Sequence, residues 1–105
     1  MSYEQFKIIV FTTKCCVNCK STKEFLKKAC EDKDIELEVI DVSEATPDNE
    51  DYIKLYSLTQ VPTAIGINCL TGEELERRQG ALTPFSIDEF ILCLARRFPV
   101  PVKGE

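Results

Sequence analysis

Two of the cysteines, Cys16 and Cys19, are separated by two residues in the pattern C-x-x-C. At the start of a helix this spacing leaves the first sulfur exposed and places the second about one turn inside. The first thiol can then attack a disulfide, and the second can cleave the mixed disulfide that results. The sequence therefore predicts a dithiol in which Cys16 is the nucleophile, Cys19 is the resolving cysteine, and Val17 and Asn18 lie beside the substrate.

Attack on a disulfide requires a thiolate, and a helix N-terminus stabilises one through its free amide groups and partial positive charge. We expect the pKa of Cys16 to fall from about 8.5 into the range of about 3.5 to 7.5 that such sites show. Lys14 and Lys20 add positive potential close to the pair. The reaction requires no metal and no histidine, and the chain contains no histidine. No cofactor is expected beyond the redox-active Cys16–Cys19 disulfide.

A C-x-x-C pair also occurs in zinc sites, but a structural zinc ion needs four ligands, usually from a second pair at similar spacing. No second pair is present, and three of the other cysteines lie on or beside apolar faces, where cysteine is typically a small buried hydrophobe. These three are Cys30, Cys69 and Cys93. No metal site is therefore predicted.

Cys15 directly precedes the predicted nucleophile. It could be a plain turn residue, a second exposed thiol open to oxidation, or a third ligand for a metal or cluster. Two alternative functions follow. One is a metal or iron–sulfur protein that uses Cys15, Cys16 and Cys19, and the other is an interaction module without turnover.

The 105 residues are 44% apolar and 30% charged, which is typical of a globular protein. The length predicts one domain over residues 1–105, with a flexible tail from about residue 99, and we expect a monomer. No apolar run approaches the roughly 18 residues of a membrane span, and residues 8–11 are too few for a signal-peptide core. A cytoplasmic protein is expected, in a compartment that keeps thiols reduced.

The charge is unevenly distributed along the chain. The net charge of −5 argues against binding to nucleic acid. Residues 1–30 carry six lysines and two glutamates, whereas residues 31–105 carry seven basic and sixteen acidic groups. The lysines around the cysteine motif either steer acidic partners towards it or form an ordinary solvated helix face.

The spacing of apolar residues predicts four short strands and three helices. The strands are expected at residues 7–12, 35–41, 63–68 and 74–79, and the helices at about 17–30, 47–58 and 86–98. The order βαβαββα predicts an α/β fold with a four-stranded mixed sheet and helices on both faces. The C-x-x-C motif then follows the carboxyl end of the first strand, where such sheets place their sites.

Two details of the helices and one of the fourth strand are also predicted. The first helix is expected to bury an apolar face made of Val17, Phe25, Leu26, Ala29 and Cys30. Ser86 and Glu89 have the spacing of a capping box, which would start the third helix. Gly80 is expected to end the fourth strand.

With the C-x-x-C loop, the segment Val61-Pro62-Thr63 and the later Gly80-Ala81-Leu82, the sequence resembles the thioredoxin and glutaredoxin superfamily over nearly its whole length. The resemblance implies a cis peptide bond between Val61 and Pro62, and a thioredoxin-like fold. It would let Val61 offer its backbone to a substrate chain beside Cys16. It also implies Pro62, Lys14 and Gly80 as part of the substrate site.

The resemblance further implies a thiol-disulfide oxidoreductase acting on disulfide-containing proteins. A thioredoxin-reductase-like partner is the favoured reductant, and glutathione is the alternative. The sequence departs from the thioredoxin pattern at Val10, where a buried acid normally stands, so the proton acceptor for Cys19 stays open. Thr13 stands where glutaredoxins carry a lysine, with Lys14 displaced by one position.

Overall fold

Four strands and three helices follow one another in residues 5–97, the part of the chain that the computed structural model describes. In chain order they are β1 (Phe6–Thr12), α1 (Val17–Lys33), β2 (Glu36–Asp41), α2 (Pro47–Leu55), β3 (Thr63–Asn68), β4 (Glu74–Gln79) and α3 (Pro84–Arg96). The predicted order βαβαββα and the α/β class are confirmed. The final residue of the predicted third helix and the predicted tail lie outside the described residues.

The strands form one mixed sheet in the order β2-β1-β3-β4. β1 runs parallel to β2, with Val10 opposite Val39, and antiparallel to β3, with Phe11 opposite Thr63. β4 adds to β3 in antiparallel orientation. Because Phe11 and Thr63 are paired, the carboxyl end of β1 and the start of β3 lie side by side at the same end of the strands. We call this end of the sheet, where the strands terminate, the sheet edge.

Helices cover both faces of the sheet, as the element order predicts. On one face, Val10 packs in a core with residues of α1 and α3, among them Leu26 and Phe90. On the other face, the Phe11 ring lies 5.9 Å from the Tyr52 ring and 5.5 Å from the Tyr56 ring, which belong to α2 and its end. Successive residues of β1 therefore enter opposite cores, and this strand is buried on both faces.

The predicted apolar face of α1 is wrong at two of its residues, Val17 and Phe25. Val17 is 89% exposed, and Phe25 is also exposed. The buried residues are instead Cys19, Thr22, Leu26 and Cys30, at helical spacings of three and four. Val17 precedes Cys19 by two residues, a rotation of about 200°, so it points away from the core.

The third helix begins earlier than predicted. The N-cap is Thr83, whose hydroxyl accepts a hydrogen bond from the Ser86 N–H at 3.2 Å. Pro84 then takes the first helical position, which suits a residue with fixed φ and no N–H. The predicted capping box of Ser86 and Glu89 is therefore replaced by this Thr-Pro start.

Two further helix ends differ from expectation. α2 stops at Leu55 rather than near residue 58, and Ser57 has a φ of 50°, which a continuing helix does not allow. α1 continues to Lys33, where Asp34 in a left-handed conformation donates its N–H to the Cys30 and Glu31 carbonyls. None of the helices within residues 5–97 combines the length and apolar character that crossing a membrane requires.

The contact between β3 and α3 leaves no room for a side chain at Gly66. A Cβ built there would lie 2.2 Å from Leu94 Cδ2, and Leu94 is fully buried. We expect Gly66→Ala to lower the free energy of unfolding by about 1–3 kcal/mol through overpacking. Leu94→Ala should cost about 2–5 kcal/mol by leaving a cavity.

The double variant provides the control, because the smaller side chain at position 94 removes the clash. Its loss of stability in urea unfolding should be clearly smaller than the sum of the two single losses. Strict additivity would contradict the packing described for this contact.

Candidate dithiol site

Cys16 forms the N-cap of α1, and Cys19 lies in the first turn. The two residues form a disulfide, with Cα atoms 5.2 Å apart. Cys16 has an extended backbone, and its Sγ accepts a hydrogen bond from the Cys19 N–H at 3.1 Å. Cys16 is half-buried, whereas Cys19 is 3% exposed. The predicted helix start is confirmed, and the accessible sulfur is that of the first cysteine.

The arrangement favours negative charge on Cys16. A helix N-terminus presents free N–H groups and a partial positive charge, and the first turn of α1 contains no acidic residue. By contrast, α2 carries Asp48 and Glu50 in its first turn. The hydrogen bond from Cys19 would strengthen when Cys16 becomes a thiolate, because a charged acceptor binds an amide more strongly than a neutral one.

The loop before Cys16 is held against the end of β2. The Lys14 N–H donates to Ser43 Oγ at 2.7 Å, and the Ser43 N–H donates to Asp41 Oδ1 at 2.7 Å. Hydrogen bonds from Ser43, followed by the charges of Lys14 and Lys23, hold the pKa of Asp41 below its usual value. The Lys14 ammonium lies 3.4 Å from Glu44, but both groups are exposed, so this ion pair adds little stability.

The Val61–Pro62 peptide bond is cis, as the resemblance implies. The Pro62 carbonyl accepts the Gly80 N–H at 2.8 Å, and the Gln60 carbonyl accepts the Thr63 hydroxyl at 2.7 Å. Within residues 5–97, the N–H and C=O of Val61 take part in no hydrogen bond. Among the described residues, the backbone polar groups of Val61 are therefore unpaired, at the sheet edge from which β1 leads to Cys16.

Gly80 shapes this loop. Its φ of 92° lies in the left-handed region, which favours glycine. Because the Gly80 N–H donates a hydrogen bond to the Pro62 carbonyl, Gly80 holds the cis-proline loop in position.

A buried hydroxyl links the dithiol helix to the same loop. The Leu82 N–H donates to Thr22 Oγ1 at 3.0 Å, and Thr22 is fully buried one turn after Cys19. Leu82 follows Gly80 by two residues, so two hydrogen bonds connect Pro62 to α1. Sequence reasoning missed Thr22, Ser43 and Asp41. The available signal for Thr22 was a polar residue three positions after Cys19 and four before Leu26.

A cleft of about 380 Å³ opens beside the disulfide. It is lined by both cysteines, by Lys14, Lys20 and Lys23, and by acidic residues that include Asp41. The cleft brings water and small polar groups up to the cysteine pair, in which Cys16 is the more accessible residue. Val17 and Asn18, the residues between the cysteines, are exposed but do not line this cleft.

The other cysteines differ in their surroundings. Cys30 is buried, and desolvation raises its pKa to about 11 despite the opposing charge of Lys33. Cys93 is half-buried, with Arg78 Nη2 3.6 Å from its sulfur. Cys69 is exposed, so its predicted burial is wrong, because it follows the last residue of β3 and lies in the turn rather than on the strand.

Cys15 is exposed. In the part of the chain from residue 5 to residue 97, no three histidine, cysteine or acidic side chains are arranged to hold a metal ion. The geometry therefore offers no support for a metal site built within one chain from Cys15, Cys16 and Cys19.

Solved thioredoxin structures share this architecture. Thioredoxin 1 from Thermosipho africanus is 27% identical, with a TM-score of 0.68 over 92% of this chain and 99% of that one. Thioredoxin from Fasciola hepatica is 24% identical, with a TM-score of 0.69 over 84% of this chain and 79% of that one. The fold and the disulfide at its strand-to-helix junction define a C-x-x-C protein of the thioredoxin and glutaredoxin superfamily.

Within that superfamily, a sequence model named Glutaredoxin matches residues 8–65, more than half of the chain. The protein belongs to the glutaredoxin family. The comparison with curated protein sequences finds no match. Family and motif together indicate a thiol-disulfide redox function.

The bond between Thr22 and Leu82 predicts a difference between two substitutions. Thr22→Val keeps the shape of the side chain but leaves the buried Leu82 N–H without an acceptor, which should cost about 1–3 kcal/mol of stability. Thr22→Ser keeps the hydroxyl and loses one methyl group, at about 1 kcal/mol. Urea unfolding measures both losses, and a valine variant as stable as the serine variant would contradict the assigned bond.

The contrasting environments of the thiols predict an order of alkylation in the fully reduced protein. Cys16 should react with iodoacetamide first, because it is accessible and its thiolate is stabilised at the helix start. Cys30 should react last, since it is buried and its pKa of about 11 keeps it protonated at neutral pH. Mass spectrometry after short pulses between pH 6 and 9 gives the order, and equal rates for these two thiols would be inconsistent with the site.

Proposed function

We propose that this protein is a thiol-disulfide oxidoreductase that reduces disulfides in other proteins through Cys16 and Cys19. The observation that carries the proposal is the asymmetry of the pair at the start of α1. Cys16 is accessible and accepts an amide hydrogen bond, whereas Cys19 is shielded directly behind it. This asymmetry suits one sulfur to attack and the other to resolve.

In the proposed cycle, the Cys16 thiolate attacks one sulfur of the substrate disulfide. The substrate S–S bond breaks, a Cys16–substrate S–S bond forms, and the departing substrate thiolate takes up a proton from water. Cys19 then loses its proton to water in the cleft and attacks Cys16 Sγ. The second substrate thiolate leaves and is protonated, so two electrons have passed to the substrate and Cys16–Cys19 is oxidised.

The substrate is proposed to lie along Val61. A peptide in extended conformation could pair with the free N–H and C=O of Val61, which would bring its disulfide to Cys16 at the same sheet edge. Val17, which is 89% exposed, and Asn18 would contact the substrate from the other side. Pro62, held by Gly80, keeps this edge in place.

The oxidised pair must be reduced again to complete the cycle. Two sources are proposed, a thioredoxin-reductase-like partner and glutathione. The likeness to thioredoxin structures supports the first, and the match to the glutaredoxin family supports the second. The proposed cycle needs no cofactor other than the disulfide, and a monomer in a reducing compartment such as the cytoplasm suits it.

Substitution of each cysteine tests the roles assigned to the pair. Cys16→Ser should abolish reduction of a protein disulfide such as that of insulin, because the attacking sulfur is gone. Cys19→Ser should stop turnover but accumulate mixed disulfides, which are seen as a mass increase on non-reducing gels. Cys69→Ser is the matched control, since it also removes an exposed thiol but lies outside the site.

The control variant should keep the activity of the unmodified protein. Full activity in both Cys16→Ser and Cys19→Ser would contradict the proposed mechanism. Mixed disulfides that survive Cys16→Ser but vanish in Cys15→Ser would assign the attack to Cys15 instead.

A further inference from the structure

Three lysines of α1 lie on one side of the helix and begin beside the dithiol. Lys20, Lys23 and Lys27 are separated by three and four residues, so successive members are neighbours on the helix surface. We call this set the lysine face. Lys20 and Lys23 also line the cleft that Cys16 and Cys19 line.

No lysine of the lysine face forms an ion pair with a carboxylate in residues 5–97, although Glu24 and Asp41 line the same cleft. The ion pairs of this region that involve lysine are those of Lys7, Lys14 and Lys33, at 3.2, 3.4 and 3.8 Å. The charges of the lysine face are therefore not neutralised by contact with an acid. Lys23 nevertheless contributes to lowering the pKa of Asp41 across the cleft, so its field extends to the space beside the disulfide.

We infer that the lysine face is a docking surface for an acidic segment of the disulfide-bearing partner protein, an inference that rests on the proposed function. The partner chain that reaches Cys16 must pass over or beside the cleft, where Lys20 and Lys23 meet it. Acidic side chains flanking the partner's cysteine would find cations there with no competing carboxylate in contact. The occupant is a protein, because the proposed substrates of Cys16 are disulfides in other proteins.

The remainder of the molecule orients such a partner. Residues 31–105 carry sixteen acidic and seven basic groups, so an acidic protein gains no net attraction from that part of the chain. Residues 1–30, which contain the dithiol, carry six lysines and two glutamates. Charge distributions of this kind raise association rates by about 10- to 1,000-fold and lose their effect as salt is added.

Two synthetic peptides test the inference. Both contain the same intramolecular disulfide, flanked by three glutamates in one and by three lysines in the other. Rapid mixing with the reduced protein gives the second-order rate of each reaction, and an uncharged alkyl disulfide reports the reactivity of Cys16 alone. At low ionic strength the acidic peptide should react about tenfold faster or more, and in about 1 M salt, where the Debye length is about 3 Å, the two rates should converge.

A pair of charge reversals locates the effect. Lys20→Glu combined with Lys27→Glu should remove the preference for the acidic peptide after each rate is divided by that of the alkyl disulfide. The control is Lys54→Glu combined with Arg96→Glu, which changes the net charge equally at residues that do not line the cleft. This control should keep most of the preference.

Three results would overturn the inference. Equal rates for both peptides in the unmodified protein would show that no acidic segment is preferred. Equal loss of preference in both double variants would assign it to net charge rather than to the lysine face. Failure of the reduced protein to react with any of the three disulfides would refute the proposed function itself, whereas reaction with the alkyl disulfide alongside equal peptide rates would refute only the docking.

Discussion

The burial of β1 on both faces is the constraint on which the rest of the structure depends. Its residues alternate between the core under α1 and α3 and the core under α2, and its neighbours are β2 on one side and β3 on the other. A strand in this position cannot shift its register without exposing apolar side chains to water. Consequently the loop that leaves β1 towards Cys16, and the cis-proline loop that enters β3, are fixed at one sheet edge.

Within that frame, burial and position on α1 give three cysteines different chemistry. Cys16 sits where amide groups are free, Cys19 is shielded behind it, and Cys30 lies three turns further along the same buried face. Desolvation keeps the Cys30 thiol neutral, while the helix start favours charge on Cys16. The residue type is the same in each case, and the local dielectric and the helix dipole distinguish them.

Much of this could be predicted from the sequence, because the signals are local. Runs of β-branched residues, the C-x-x-C spacing and the Val61-Pro62 segment each act over a few positions, and the order of elements then limits the topology. The features that the sequence does not predict depend either on the exact helix rotation or on a contact from elsewhere in the chain. Val17 belongs to the apolar pattern by type, but the rotation between it and Cys19 turns it to solvent. The bonds that Thr22 and Ser43 accept join residues far apart in sequence, and no local pattern reveals them.

The sulfur of Cys16 caps the N-terminus of α1 and is also the proposed reacting atom. This combination of roles has a thermodynamic consequence. Because the Cys19 amide donates to that sulfur, the stability of the first turn of α1 depends on whether the sulfur is reduced or bonded to another sulfur. Folding and reduction form a thermodynamic cycle. Any difference in folding stability between the reduced and the oxidised protein therefore equals a shift of the reduction potential relative to the unfolded chain, at about 30 mV for each 1.4 kcal/mol. The capping of one helix turn thus contributes to the reduction potential, and a substitution at the helix start that stabilises the reduced and oxidised forms unequally changes the potential at which the protein exchanges electrons.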